Sequence, residues 1–186
     1  MRAFVAVVPP AAAVAPLRAL VDAVRRTDDG LGWVTPERWH FTLAFLGDIT
    51  DKQAARLTPA LDRVAARHAP FSVNVDGAGW FPRPTRPQVL WAGLAGDVAA
   101  LTAVAGDVVA AARGAHVPVD GKAFRPHLTL ARVRRSSQVD GLALLGALAR
   151  VEGPPFTAEE LVLLRSHLGP QPRYEPLQRW RLAHQA

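Results

Sequence analysis

The 186-residue sequence predicts a mixed helix-and-strand fold made of two similar lobes that face one another. Three observations predict it. First, one tetrapeptide pattern recurs, as His40-Phe41-Thr42-Leu43 and, 87 residues later, as His127-Leu128-Thr129-Leu130, each copy set in an apolar run. Second, segments of strand and helix spacing follow the order strand, helix, motif strand, helix, strands, and then run through helix, motif strand, helix, strands again, the pattern of an approximate internal duplication. Third, 49% of the residues are apolar, ample for a buried core at this length, and no linker or low-complexity segment divides the chain.

Each element has its own signal. Residues 2–8 are apolar and β-branched and are stopped by Pro9-Pro10, which reads as a buried strand. In the next segment Leu17, Leu20, Val21 and Val24 recur at helical spacing with Arg18, Arg25 and Arg26 off that face, and Asp28-Asp29-Gly30 closes the helix. Residues 33–37 turn through Pro36, and residues 40–46 form the first motif strand, ended by Gly47-Asp48. Thr50 or Asp51 caps a helix running to about His68 with Ala54, Leu57, Leu61 and Val64 on one side. Residues 71–75 alternate as a strand. Residues 77–87, with Trp80, Phe81, Pro82, Pro84 and Pro87, read as a turn or rigid loop before a strand over 88–94. A helix over 97–113, a loop over 114–126, the second motif strand over 127–133 and a helix over 137–150 follow. The last strands are expected at 157–166 and 177–182, separated by a Gly-Pro-Gln-Pro loop at 169–172.

Composition narrows the chemistry. The chain has no cysteine, so disulfides, thiolate metal ligation and a cysteine nucleophile are excluded, in agreement with a cytoplasmic protein. Apolar residues near the start are interrupted by Pro9, Pro10, Pro16 and Arg18, which fits neither a signal peptide nor the ~20 apolar residues of a membrane span. The net charge of +6 would attract a polyanion such as RNA, although an excess of 20 arginines over 2 lysines is equally the mark of codon bias.

The paired motif is the more specific clue. From the chain's own His, Thr and Leu frequencies a His-x-Thr-Leu pattern is expected on the order of 0.03 times by chance. Along a strand, residues i and i+2 share a face, so each copy presents an imidazole and a hydroxyl together. Two imidazoles across one pocket suit proton transfer near neutral pH, one accepting while the other donates. Phosphate esters match this equipment, because the Thr42 and Thr129 hydroxyls can donate to non-bridging oxygens and a nearby arginine can stabilise added negative charge. Arg132 is the candidate. It lies five residues after His127, an odd offset that turns it away from the His127 and Thr129 face unless a bulge or strand end redirects it. His68, His116, His167 and His184 lack a Thr at i+2 and are read as structural or surface residues, and Trp33, Trp39, Trp80, Trp91 and Trp180 as core.

With these residues in view the sequence resembles the two-histidine phosphoesterases, and closely the RNA 2′,3′-cyclic phosphodiesterases, also called 2′-5′ RNA ligases. The resemblance covers nearly the whole chain. It runs through Arg2-Ala3-Phe4-Val5-Ala6-Val7, residues 39–47 and 124–132 around the two motifs, residues 86–93, and Tyr174-Glu175-Pro176-Leu177. It implies a bilobal α+β fold over residues 1–186, with antiparallel sheets lining a central cleft and helices outside. The implied activity is hydrolysis of an RNA-terminal 2′,3′-cyclic phosphate, or of a small nucleotide cyclic phosphate, to a 2′-phosphomonoester, with reversible 2′-5′ RNA ligation in the same cleft. By the same resemblance His40 is the proton donor, His127 the proton acceptor, Phe4 and Tyr174 lie near the nucleotide, and no metal or other cofactor takes part in what is expected to be a cytoplasmic monomer. Sequence chemistry alone leaves the order of the two histidines open. It also leaves open a non-catalytic basic RNA-binding module, a histidine metal site, which lacks common zinc spacing, and a relative acting on a different cyclic phosphate.

Overall fold

A computed structural model describes residues 1–26, 29–119, 123–135, 137–169 and 172–183. The chain opens with strand β1 (Arg2–Val7), whose Ala3, Val5 and Val7 face a large apolar cluster while Phe4 and Ala6 face the other way. Helix α1 (Ala11–Val24) starts directly after Pro10, whose extended backbone forms its N-cap. The short strand β2 (Leu31–Trp33) and a 3-10 turn (Pro36–Arg38) occupy the stretch where the sequence predicts only a turn. Strand β3 (Phe41–Asp48) carries the first motif, and helix α2 (Asp51–Arg67) is entered through a reciprocal capping box between Thr50 and Gln53.

One expectation is overturned in the middle of the chain. The predicted loop at 77–87 is a long hairpin, β4 (Phe71–Arg83) running into β5 (Arg86–Gly96). The three prolines that suggested a loop sit at its tip, where Pro82 pairs with Pro87 across a register shift and no ladder hydrogen bond from either is needed. Helix α3 (Val98–Gly114) is capped by the Asp97 carboxylate, which accepts from the Ala100 N–H. Strand β6 (Leu128–Val133) carries the second motif. Helix α4 (Gly141–Leu148) is shorter than its apolar pattern suggests, because the Asp140 side chain accepts from the N–H groups of Leu142 and Ala143 and fixes its start there. Strands β7 (Phe156–Ala158), β8 (Glu160–His167) and β9 (Arg173–Arg181) complete the described chain. Part of the 169–172 loop lies outside the described residues.

The strands form one antiparallel sheet in the order β7-β4-β5-β6-β3-β1-β8-β9, with β2 paired to β6. It consists of two four-stranded halves joined through the motif strands, the two lobes of the α+β fold. One face packs on all four helices in a single cluster that includes Leu17, Leu57, Leu61, Leu101, Val108 and Leu148. The opposite face is the one that positions the site.

Candidate active site

The two motif strands are neighbours. Phe41 pairs with Leu128, and both side chains point into the helix-side core, 1% and 0% exposed. Alternation then turns His40, Thr42, His127 and Thr129 to the opposite face. Continuing the antiparallel register by one residue sets His40 across from Thr129 and His127 across from Thr42. Directly opposed residues stand ~4.5–5.5 Å apart at Cβ and diagonal ones about 7–8 Å apart, so the two imidazoles sit on one diagonal and the two hydroxyls on the other. All four are half-buried.

Each histidine is held in the same way. His40 Nδ1 lies 2.7 Å from the carbonyl oxygen of Arg38, and His127 Nδ1 lies 2.7 Å from that of Arg125. A carbonyl can only accept, so Nδ1 carries the proton in both rings and Nε2 of the neutral imidazole is left with its lone pair. Aromatic rings fix the planes. His40 packs against Phe4 at 4.7 Å and edge-on against Tyr174 at 5.1 Å, while His127 packs edge-on against Phe81 at 4.9 Å. Burial among these rings disfavours the imidazolium and pushes the His40 pKa down to about 4, the Arg38 carbonyl offsetting this in part and the charges of His127 and Arg38 adding to it. Burial likewise lowers His127, again opposed by its carbonyl bond and assisted by the charge of Arg132.

Arg132 is brought to the site by a bulge. Thr129 pairs with Trp91 and Ala131 with Leu90, so Leu130 is an extra residue in β6, and its carbonyl accepts from the Val34 N–H instead. The inserted residue shifts the alternation by one, and Arg132, opposite Val89, returns to the face of Thr129. Strand β3 has the same irregularity. Thr42 pairs with Ala6 and Ala44 with Val5, leaving Leu43 extra and returning Phe45, opposite Phe4, to the face of Thr42. Phe45 and Arg132 are therefore equivalent positions of the two lobes.

The remaining candidates divide. Tyr174 is half-buried and touches both Phe4 and His40, under the Arg38 guanidinium at 5.2 Å. Phe4 is 3% exposed and supports His40 from beneath, its ring packed against His40, Phe45 and Tyr174. His68 and His167 pair with Asp107 and Glu175, and His116 lies just past α3. His184 lies outside the described residues. Trp39, Trp80 and Trp180 are core, but Trp91 is half-buried and lies on the cleft face beside Phe81, over Gly79, where a Cβ would stand 2.2 Å from its ring. Sequence reasoning missed Phe81, Trp91 and Phe45. Among the described residues no three His, Asp or Glu side chains converge where a metal ion could be held.

The family model of the LigT-like phosphoesterases matches residues 7–91 and 94–174. The chain belongs to this family. Its similarity to the curated LigT-like relatives is substantial: 36% identity over 148 residues to an RNA 2′,3′-cyclic phosphodiesterase of Geobacillus stearothermophilus, covering 78% of this chain. The chain spans 46% of that relative's length, but 73% of an Aquifex aeolicus RNA 2′,3′-cyclic phosphodiesterase at 34% identity. An Aeropyrum pernix protein of the same description is 30% identical, with 87% of this chain and 92% of the relative covered. Among solved LigT-like structures, one from Thermus thermophilus matches with a TM-score of 0.80 at 28% identity, over 98% of both chains. Escherichia coli LigT complexed with 3′-AMP, at 24% identity and a TM-score of 0.80, shares the fold.

Proposed function

We propose that residues 1–186 act as one catalytic unit that hydrolyses the 2′,3′-cyclic phosphate at an RNA end to a 2′-phosphomonoester. The observation that carries this reading is the pair of carbonyl-locked imidazoles on one sheet face, each with Nε2 free and each across from the other motif's threonine. Phosphorus on the diagonal between the two rings would have water on the His127 side and the 3′ oxygen on the His40 side. His127 Nε2 accepts a proton from the attacking water as the P–O bond forms, and His40, protonated, delivers its Nε2 proton to the departing 3′ oxygen. Thr42 and Thr129 donate to the non-bridging oxygens, and Arg132 offsets the charge that grows there.

The electrostatics suit a site that carries one proton at a time. Each imidazole is held neutral by burial, and the charge of one opposes protonation of the other, so the incoming phosphate anion supplies the attraction that keeps a single imidazolium in place. The same steps with a 5′ hydroxyl in place of water would give a 2′-5′ phosphodiester, which is 2′-5′ ligation, and their reversal would cleave that linkage back to the cyclic phosphate and a 5′ hydroxyl. The relatives' descriptions support action on RNA 2′,3′-cyclic ends, and the same cleft chemistry extends to small nucleotide cyclic phosphates. The test is incubation of EDTA-treated protein with a short RNA ending in a 2′,3′-cyclic phosphate, followed by identification of the product. A 2′-phosphate is expected. A 3′-phosphate, or loss of activity on chelation, would overturn the reading.

A further inference from the structure

The two histidines are flanked alike. Two residues before each stands an arginine whose carbonyl oxygen holds the ring Nδ1. The guanidinium of that arginine lies over the aromatic ring packed edge-on against the same histidine, Arg38 at 5.2 Å from the centre of Tyr174 and Arg125 at 5.9 Å from that of Phe81. The two arginines differ in setting. Arg125 is exposed, whereas Arg38 is half-buried, and its Nε is shut off from solvent without a hydrogen-bond partner. Among the described residues no carboxylate forms a salt bridge with Arg38, not even that of the adjacent Glu37. A partly desolvated cation without a counter-charge is unfavourable, and the face of the Tyr174 ring offsets only part of that cost. The site is therefore set to receive an anion.

We propose that the Arg38 guanidinium holds the phosphodiester that joins the terminal nucleotide to the rest of an RNA strand. The proposal rests on the cyclic phosphodiester chemistry given above and adds how a strand end is told from a free nucleotide. In that chemistry the 3′ oxygen leaves towards His40, so the terminal ribose stands over the His40 lobe and its 5′ phosphate lies one ribose further out. Arg38 stands one aromatic ring away from the imidazole in that lobe, on Tyr174. A guanidinium presents a planar fork that matches two phosphate oxygens, a contact that a nucleoside cyclic phosphate with a free 5′ hydroxyl cannot make. The charge of Arg38 also opposes protonation of His40, and an anion bound to it lifts that opposition in the ring that must donate. Arg125 belongs to the His127 lobe, on the side of the attacking water, away from the strand.

The experiment uses two dinucleotides ending in a 2′,3′-cyclic phosphate, each 2′-O-methylated on its first residue so that only the terminal cyclic phosphate can react. Their internal linkages differ, a charged phosphodiester in one and a neutral methylphosphonate in the other. The ratio of their kcat/KM values is measured in the wild type, Arg38→Gln, Arg38→Lys and Arg125→Gln. The wild type is expected to favour the charged linkage about 10-fold, the lower end of the span for a hydrogen bond to a charged group, because Arg38 is only half-buried. Arg38→Gln should bring the ratio close to unity, Arg38→Lys, which keeps the charge and loses the fork, should retain part of it, and Arg125→Gln should keep it whole. A wild type indifferent to the linkage would overturn the proposal, as would a ratio that Arg38→Gln leaves unmoved even with both rates lowered together. An equal loss in Arg125→Gln would also overturn it, by assigning the preference to the general positive field of the cleft. Those outcomes leave the hydrolytic reading standing. No turnover of either dinucleotide or of adenosine 2′,3′-cyclic phosphate by the folded wild type would overturn that reading and the proposal with it.

Discussion

Replacing His40 by glutamine should remove a specific, pH-dependent cost from the folded state. Burial against Phe4 and Tyr174 pushes the His40 pKa from 6.5 to about 4, whereas in the unfolded chain it stays near 6.5. Between these values the unfolded chain binds the proton and the folded chain does not, so stability falls as pH falls through this window. Above 6.5 neither state is protonated and the stability is fully present; below about 4 both are protonated and the loss is complete. At 1.36 kcal/mol per pH unit the loss comes to about 3 kcal/mol. Glutamine does not titrate. Urea unfolding followed by tryptophan fluorescence at pH 4 to 7.5 should therefore show the wild type losing about 3 kcal/mol more than His40→Gln between pH 7 and pH 4, all other titrations being shared. Two curves that run parallel across this range would refute the assignment of a buried neutral imidazole to His40.

Two further outcomes follow from the geometry. Arg132→Ala should lower kcat on a cyclic phosphate about 10- to 100-fold, the span of a lost hydrogen bond to a charged group, with little change in unfolding free energy because the side chain is exposed. A fall in stability without a fall in kcat, read by paired kinetics and denaturation, would place Arg132 outside the site. Gly79→Ala should cost about 1–3 kcal/mol, because the new Cβ would meet the Trp91 ring at 2.2 Å and that ring is backed by Phe81. Adding Trp91→Leu should recover much of the loss in melting temperature, and an additive double variant would show that the clash is not its source.

The parts of the site that could be read in the sequence are those governed by short-range periodicity. His40 with Thr42 and His127 with Thr129 needed only strand alternation, and the cap at Thr50, read from the sequence as Thr50 or Asp51, needed only the turn chemistry of its side chain. What could not be read depends on register. The need for a bulge to redirect Arg132 was visible in its odd offset from His127. That Leu130 supplies it, and that Leu43 supplies its counterpart for Phe45, depends on pairing with β5 and β1, which the local sequence does not display. The hairpin tip was misread because Pro82, Pro84 and Pro87 carry the same local signal in a loop as at the end of a long hairpin. Phe81 and Trp91 were missed for that reason, since their place on the cleft face follows from the hairpin's register. The antiparallel pairing Phe41 with Leu128, which makes one cleft from two motifs, joins residues far apart in the chain. The doubled motif hinted at that pairing but did not define it.

The division of labour between the two histidines can be tested most directly with two substrates. An RNA dinucleotide ending in a 2′,3′-cyclic phosphate is compared with an analogue whose 3′ oxygen is sulfur, a leaving group that, with a thiol pKa of about 8.5, needs no proton. On the oxygen substrate His40→Ala and His127→Ala should each lower kcat about 10²- to 10⁴-fold, the contribution of a positioned general acid or base. On the sulfur substrate His40→Ala should recover most of its rate and His127→Ala should not. Recovery by His127→Ala instead would reverse the two roles, and near-normal turnover of the oxygen substrate by either variant would contradict two-histidine catalysis.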